Sequence, residues 1–147
     1  MFKNDKSKAT GKLIVEIKND KGVVVETREV KNLVVDDGLE FIASRMKDTT
    51  ATAMSHMAIG TGSTAAAAGN TALGTEAARQ ALTSTTVTAN AVAYVASFGA
   101  GTGTGAITEA GILNANSSGT LLCRTVFSVV NKGASDSMTI TWTVTIS

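Results

Sequence analysis

The sequence predicts a mainly β protein, an antiparallel β-sandwich of jelly-roll or immunoglobulin-like type with one short helix near residues 37–47. Three observations lead there. The closing segment alternates strictly, Met138, Ile140, Trp142, Val144 and Ile146 against Thr139, Thr141, Thr143 and Thr145, which is the period of a half-buried antiparallel strand. About seven or eight such short runs are punctuated by Gly, Ser and Asn, the spacing of an all-β domain. The 147 residues include 22 Ala, 22 Thr and 14 Gly but no Pro, so small and β-branched side chains dominate a chain of single-domain length.

Taken in order, residues 1–11 carry Lys3, Lys6 and Lys8 without apolar periodicity and read as an arm, leaving 12–147 as one domain. Lys12 to Lys18 and Val23 to Val30 read as strands around Asn19-Asp20-Lys21-Gly22, whose Asn, Asp and Gly supply hairpin turn chemistry. Leu39, Ile42, Ala43 and Met46 then recur at helical spacing. Asp37 stands where a helix N-cap belongs, and Glu40 three residues on completes a capping box. His56 to Ile59 reads as a strand ending in Gly60-Thr61-Gly62, followed by a loop from Ser63 to Gly69. From Thr83 the pattern is β again, with Val92, Tyr94, Ala96 and Phe98 on one face. Beyond the Gly99–Gly105 connection, strands are expected over Ile107 to Leu113, Thr120 to Val130 and Ser137 to Ile146.

Charge is distributed unevenly. Of 25 Asp, Glu, Lys and Arg residues, 19 lie in the first 48 positions. The rest of the chain is nearly neutral, a surface better suited to a subunit packed against copies of itself than to a free monomer. A net charge of +1 gives no electrostatic footprint for DNA or RNA. No apolar window is long enough to span a membrane, and no apolar run follows the N-terminal lysines, so synthesis in the cytoplasm without a signal peptide is expected.

Catalytic and cofactor chemistry finds little material. His56 is the only histidine, and no G-x-S-x-G elbow accompanies it. Neither Gly60-Thr61-Gly62 nor Gly99–Gly105 gives a phosphate-binding glycine pattern, so both read as flexible connections. Asp36, Asp37 and Glu40 cluster, but helix capping explains them without a metal. Cys123 stands alone in an apolar run and reads as a small core residue. Glycan binding needs exposed aromatic platforms, whereas alternation turns Trp142 inward. No enzyme activity, cofactor, metal, nucleic acid or membrane is expected. Four charged residues instead read as structural. Glu76 and Arg79 are spaced for an ion pair within one helical turn. Glu109, set among apolar residues, requires a partner if buried, and Arg124 or Arg79 is the natural one.

Several segments resemble, in order, small virion structural proteins of tailed bacteriophages. They are Val30-Lys31-Asn32-Leu33-Val34-Val35-Asp36-Asp37-Gly38-Leu39 leading into Phe41-Ile42-Ala43; Met57-Ala58-Ile59-Gly60-Thr61-Gly62 with Asn70-Thr71-Ala72-Leu73 and Glu76-Ala77-Ala78-Arg79; Ile107-Thr108-Glu109-Ala110-Gly111-Ile112-Leu113 through Gly119-Thr120-Leu121-Leu122 to Arg124-Thr125-Val126-Phe127; and the closing strand. The resemblance implies a non-enzymatic virion component that works by binding other subunits. With no heptad or shaft repeat, a capsid decoration (cement) protein fits best, and a tail-fibre or baseplate-associated protein is the alternative. The implied partner is the major capsid protein, or a tail or baseplate protein in the alternative. A homo-oligomer, with a trimer favoured, is implied, and Phe2, Lys3, Lys6 and Lys8 of the arm are the expected partner-binding residues.

Overall fold

Local turn chemistry sets the first hairpin. The computed structural model describes residues 8–47 and 52–147. In it β1 (Ala9–Lys18) and β2 (Val24–Val34) pair antiparallel. Asn19 Oδ1 accepts from the backbone N–H groups of Lys21 and Val23, both at 3.0 Å, an Asx turn that closes the hairpin at the predicted place. Ala9–Gly11, expected in the arm, already belong to β1, because Ala9 pairs with Ile146 and Gly11 with both Val144 and Asn32. Phe2, Lys3 and Lys6 lie outside the described residues. Lys8 is exposed, and its backbone exchanges hydrogen bonds with Ser147 at 2.7 and 2.8 Å.

The remaining elements are α1 (Asp36–Arg45), β3 (His56–Gly60), β4 (Glu76–Ala81), β5 (Ser84–Thr88), β6 (Ala91–Phe98), β7 (Gly105–Leu113), β8 (Leu121–Lys132) and β9 (Ser137–Ile146). The mainly β, antiparallel class with a single helix among the described residues is therefore as predicted. The strands form one sheet in the order β4-β3-β7-β8-β2-β1-β9-β6-β5. It is continuous because β2 serves both halves: most of its length pairs with β1, while Leu33 and Val34 pair with Arg124 and Cys123 of β8. The sheet curls so that both halves bury one core. Leu13, Val15, Phe98, Ile140 and Trp142 come from one half, and Met57, Ile59, Ile107, Ile112 and Val130 from the other. Each such side chain contributes roughly 1.5–3 kcal/mol on burial.

The helix forms where expected but with a different start and a different buried face. Its N-cap is Val35, with no side-chain cap bond, so the capping box assigned to Asp37 and Glu40 does not form. Asp36 and Asp37 instead occupy the first turn, where negative charge meets the positive end of the helix dipole. The Asp36 N–H, one of the unpaired donors of that turn, donates to the Ala68 carbonyl at 2.8 Å. Leu39 and Met46, expected on the core face, are exposed. Gly38, Phe41 and Ile42 face inward, because the helix docks through Gly38 on β8, and a Cβ there would overlap the Leu122 carbonyl. Gly38→Ala is expected to force helix and strand apart at a loss of about 1–3 kcal/mol. Denaturant unfolding would register this as a lower midpoint with an unchanged slope.

Strand β4 was not anticipated. Glu76 and Arg79 do form an ion pair, but on this strand and not within a helical turn. On a regular strand, residues three apart point to opposite faces. Here the register shifts between Ile59 and Gly60, so that Ile59 pairs with Ala78 and Gly60 with Glu76. The extra residue in β4 turns Glu76 to the face of Arg79.

Candidate functional site

The most buried polar constellation is built from β7, β8 and the loop between β3 and β4. Glu109 on β7 is fully buried and Arg124 on β8 nearly so. Their side chains meet because Gly111 pairs with Arg124 and Glu109 with Val126 across the β7–β8 ladder. Arg124 Nε and Nη2 donate to Glu109 Oε2 at 3.0 and 2.9 Å, so Arg124 is the partner that the sequence required. Arg79 is engaged elsewhere, with Glu76 and with the carbonyls of Ala115 and Ser118.

The pair also organises residues 61–75. The ends of this segment meet where the Thr61 N–H donates to the Thr75 carbonyl at 2.9 Å, the form of an Ω-loop. Glu109 Oε1 accepts from the N–H groups of Gly62 at 2.9 Å and Thr75 at 2.6 Å, and Oε2 accepts from that of Gly74 at 2.8 Å. Arg124 donates outward to Asn70 Oδ1 at 2.9 Å and the Thr64 carbonyl at 3.0 Å. Thr108 Oγ1 donates to the Gly62 carbonyl at 2.7 Å. Gly62 is thus held on both sides, and a Cβ there would run into the Glu109 carboxylate. The glycines read as a flexible connection instead mark a close approach of backbone to a carboxylate.

Beneath the loop lies a second apolar cluster of Val35, Ala58, Leu73, Leu113 and Leu121. Leu73 packs where a Cβ on Gly111 would be. This explains why β7 and the start of β8 are buried on both faces.

Electrostatics follow from the donors. Burial alone would raise the Glu109 carboxyl, but the N–H groups of Thr75 and Gly74, the Arg124 guanidinium and the Gly62 N–H outweigh it, and the group stays below its ordinary value. With five donors on its two oxygens, the carboxylate is saturated by the protein itself. Its chemistry is that of an anchor: it fixes the loop, charge-assisted, to the sheet.

The other charged and polar side chains are dispersed. Ser55 Oγ lies 2.8 Å from His56 Nδ1 on β3. Cys123 is fully buried, and burial pushes its thiol well above the usual range. Tyr94 is pushed up to about 12, by burial first and Cys123 second. Trp142 is fully buried, as its alternation predicted. Lys132 was missed: it is almost wholly buried, with Nζ donating to the carbonyls of Gly99 and Asp136, both at 2.8 Å. Burial pulls its ammonium down and Asp136 opposes this. The signal for it was available, since a lone lysine closing an apolar strand must find carbonyls or solvent. Among the described residues, no three His, Cys, Asp or Glu side chains gather as a metal site, and no helix is long and apolar enough to cross a membrane.

Fold and site together define an antiparallel β-domain whose buried ion pair anchors a surface loop. Compared with protein-family models, curated proteins and solved structures, the chain matches none.

Proposed function

We propose that this chain is a non-enzymatic structural protein of a tailed-bacteriophage virion, a decoration protein that binds the capsid lattice through the major capsid protein. It would be made in the host cytoplasm and act as a homo-oligomer on the particle. One observation supports the reading: three of the four segments that resemble phage virion proteins pack against one another through the third. Glu109 and Arg124, from the third segment, hold Gly62 and Asn70 of the second. Gly38 of the first rests on Leu122 of the third. Residues dispersed in sequence that pack together in this way behave as one architectural motif, and this motif holds the loop of residues 61–75 at the surface. A domain of this kind gains strength on a particle by repetition, because many weak contacts on a lattice act together.

Quantitative mass spectrometry of purified virions tests the proposal. A decoration protein is expected at about the copy number of the capsid lattice, hundreds per particle. A handful of copies would move the protein to the tail or baseplate, and absence from purified particles would overturn the virion reading.

A further inference from the structure

Strand β2 abandons its apolar alternation where the sheet divides. The ladder with β1 sets its inward positions: Val30, Arg28 and Glu26 stand opposite Leu13, Val15 and Ile17, all three of which are buried core. Val30 packs against that core. The next two inward positions instead hold a cation and an anion, both partly buried and joined as an ion pair at 2.5 Å. Their place in the fold accounts for them. Only Leu33 and Val34 of β2 are laddered to β8, and from there the two strands part into the two halves of the curled sheet. Among the described residues, no strand pairs with residues 24–32 on the side away from β1. Strand β8 is irregular opposite them, since Ile107 pairs with Val130 but Glu109 with Val126, so that Phe127, Ser128 and Val129 face the single residue Thr108. Arg28 reaches across the gap. Its Nη1 donates to the Ser128 carbonyl at 2.5 Å and its Nη2 to the Val129 carbonyl at 3.4 Å.

We propose that the Glu26–Arg28 pair guards this split, keeping the parted edges of β2 and β8 from accepting a further strand. Unpaired N–H and C=O groups on parted strands template strand addition, and charge aimed at the buried side of a sheet opposes it. An incoming strand would have to bury both charges away from water, and it would find the Ser128 and Val129 carbonyls already occupied. Joining the two halves does not itself call for charge. Apolar side chains in these positions would pack on Val15 and Ile17 and hold the halves at least as firmly, because a buried ion pair is seldom more stabilising than the apolar groups that replace it. The inference rests on the split in the sheet and not on the virion reading.

Glu26→Thr combined with Arg28→Thr, in the full-length chain, replaces both charges by neutral strand formers. The double variant is expected to keep the circular dichroism spectrum of wild type. In sedimentation velocity its weight-average mass is expected to rise with concentration, to roughly twice that of wild type or more, as the unguarded edges pair. Adding Val129→Lys, at an exposed position of β8, returns charge to the split and is expected to restore the wild-type distribution, a rescue that a merely structural clasp would not show. Lys12→Thr, which breaks the exposed Lys12–Glu29 ion pair, is expected to sediment as wild type. A double variant that stays folded without added association, one that loses its fold outright, or association that Val129→Lys leaves in place would overturn the proposal. Because these readouts compare purified chains and need no virion, they fail or succeed separately from the copy-number test.

Discussion

Replacing Glu109 with alanine is expected to destabilise the domain by about 3–5 kcal/mol, a drop in melting temperature of roughly 10 °C or more for a chain of this size. The loss has two parts. Arg124, only 2% exposed, would be left as a buried cation without its counter-ion. The N–H groups of Gly62, Gly74 and Thr75 would lose their acceptor, each a desolvated donor without a partner. Glu109→Gln keeps the shape but is also expected to destabilise. An amide has one carbonyl oxygen where the carboxylate has two acceptors, and its NH2 would face donors.

The carboxylate is held below its ordinary value near 4.5, so the folded state binds this proton less readily than the unfolded chain. The stability it contributes is fully present above the unfolded pKa and is lost as pH falls through the lower folded value. Wild type is therefore expected to lose stability below about pH 4.5 more steeply than Glu109→Gln. Calorimetry of both proteins from pH 7 to pH 3 checks this. A Glu109→Ala melting point within about 2 °C of wild type, or parallel acid profiles for the two proteins, would remove Glu109 from its anchoring role.

Trp142→Ala is expected to produce a loss of similar size, about 3–5 kcal/mol, by opening a cavity in the main core. Trp142 is fully buried at the centre of β9, with Leu13 and Tyr94 as its cross-strand neighbours. Its indole N–H makes no hydrogen bond to the protein, so its contribution is packing. Trp142→Phe should accordingly cost less than about 1.5 kcal/mol, since most of the ring contact survives and no hydrogen bond is forfeited. Urea unfolding of the two variants separates the cases, and equal losses would show that the indole N–H, and not ring volume, is what the site requires.

What was legible in the sequence was what neighbouring residues dictate to one another. The alternation of β9 named its inward face, and the Asn19–Gly22 turn placed the first hairpin. The need of Glu109 for a cation was equally local, since a carboxylate between apolar strand positions has few alternatives to pairing. Strand β4 escaped notice because Glu-Ala-Ala-Arg-Gln-Ala favours a helix by propensity; it is extended because β3 offers it a ladder. The buried face of α1 was misassigned because Leu39 and Met46 continue an apolar period that docking through Gly38 turns outward. The loop donors to Glu109 were not legible, standing 47, 35 and 34 residues away.

By itself, then, the sequence determined a neutral, threonine-rich β-domain with one short helix, the faces of its clearest strands, and the need of Glu109 for a cation. The tertiary structure decided which loop covers β7 and β8, which of the two candidate arginines pairs with the glutamate, and what the glutamate holds. The physical reason is that periodicity records only whether a side chain faces inward or outward. Where backbone donors converge on a carboxylate, and which strand ends a sheet, depend on contacts between segments that no local pattern encodes.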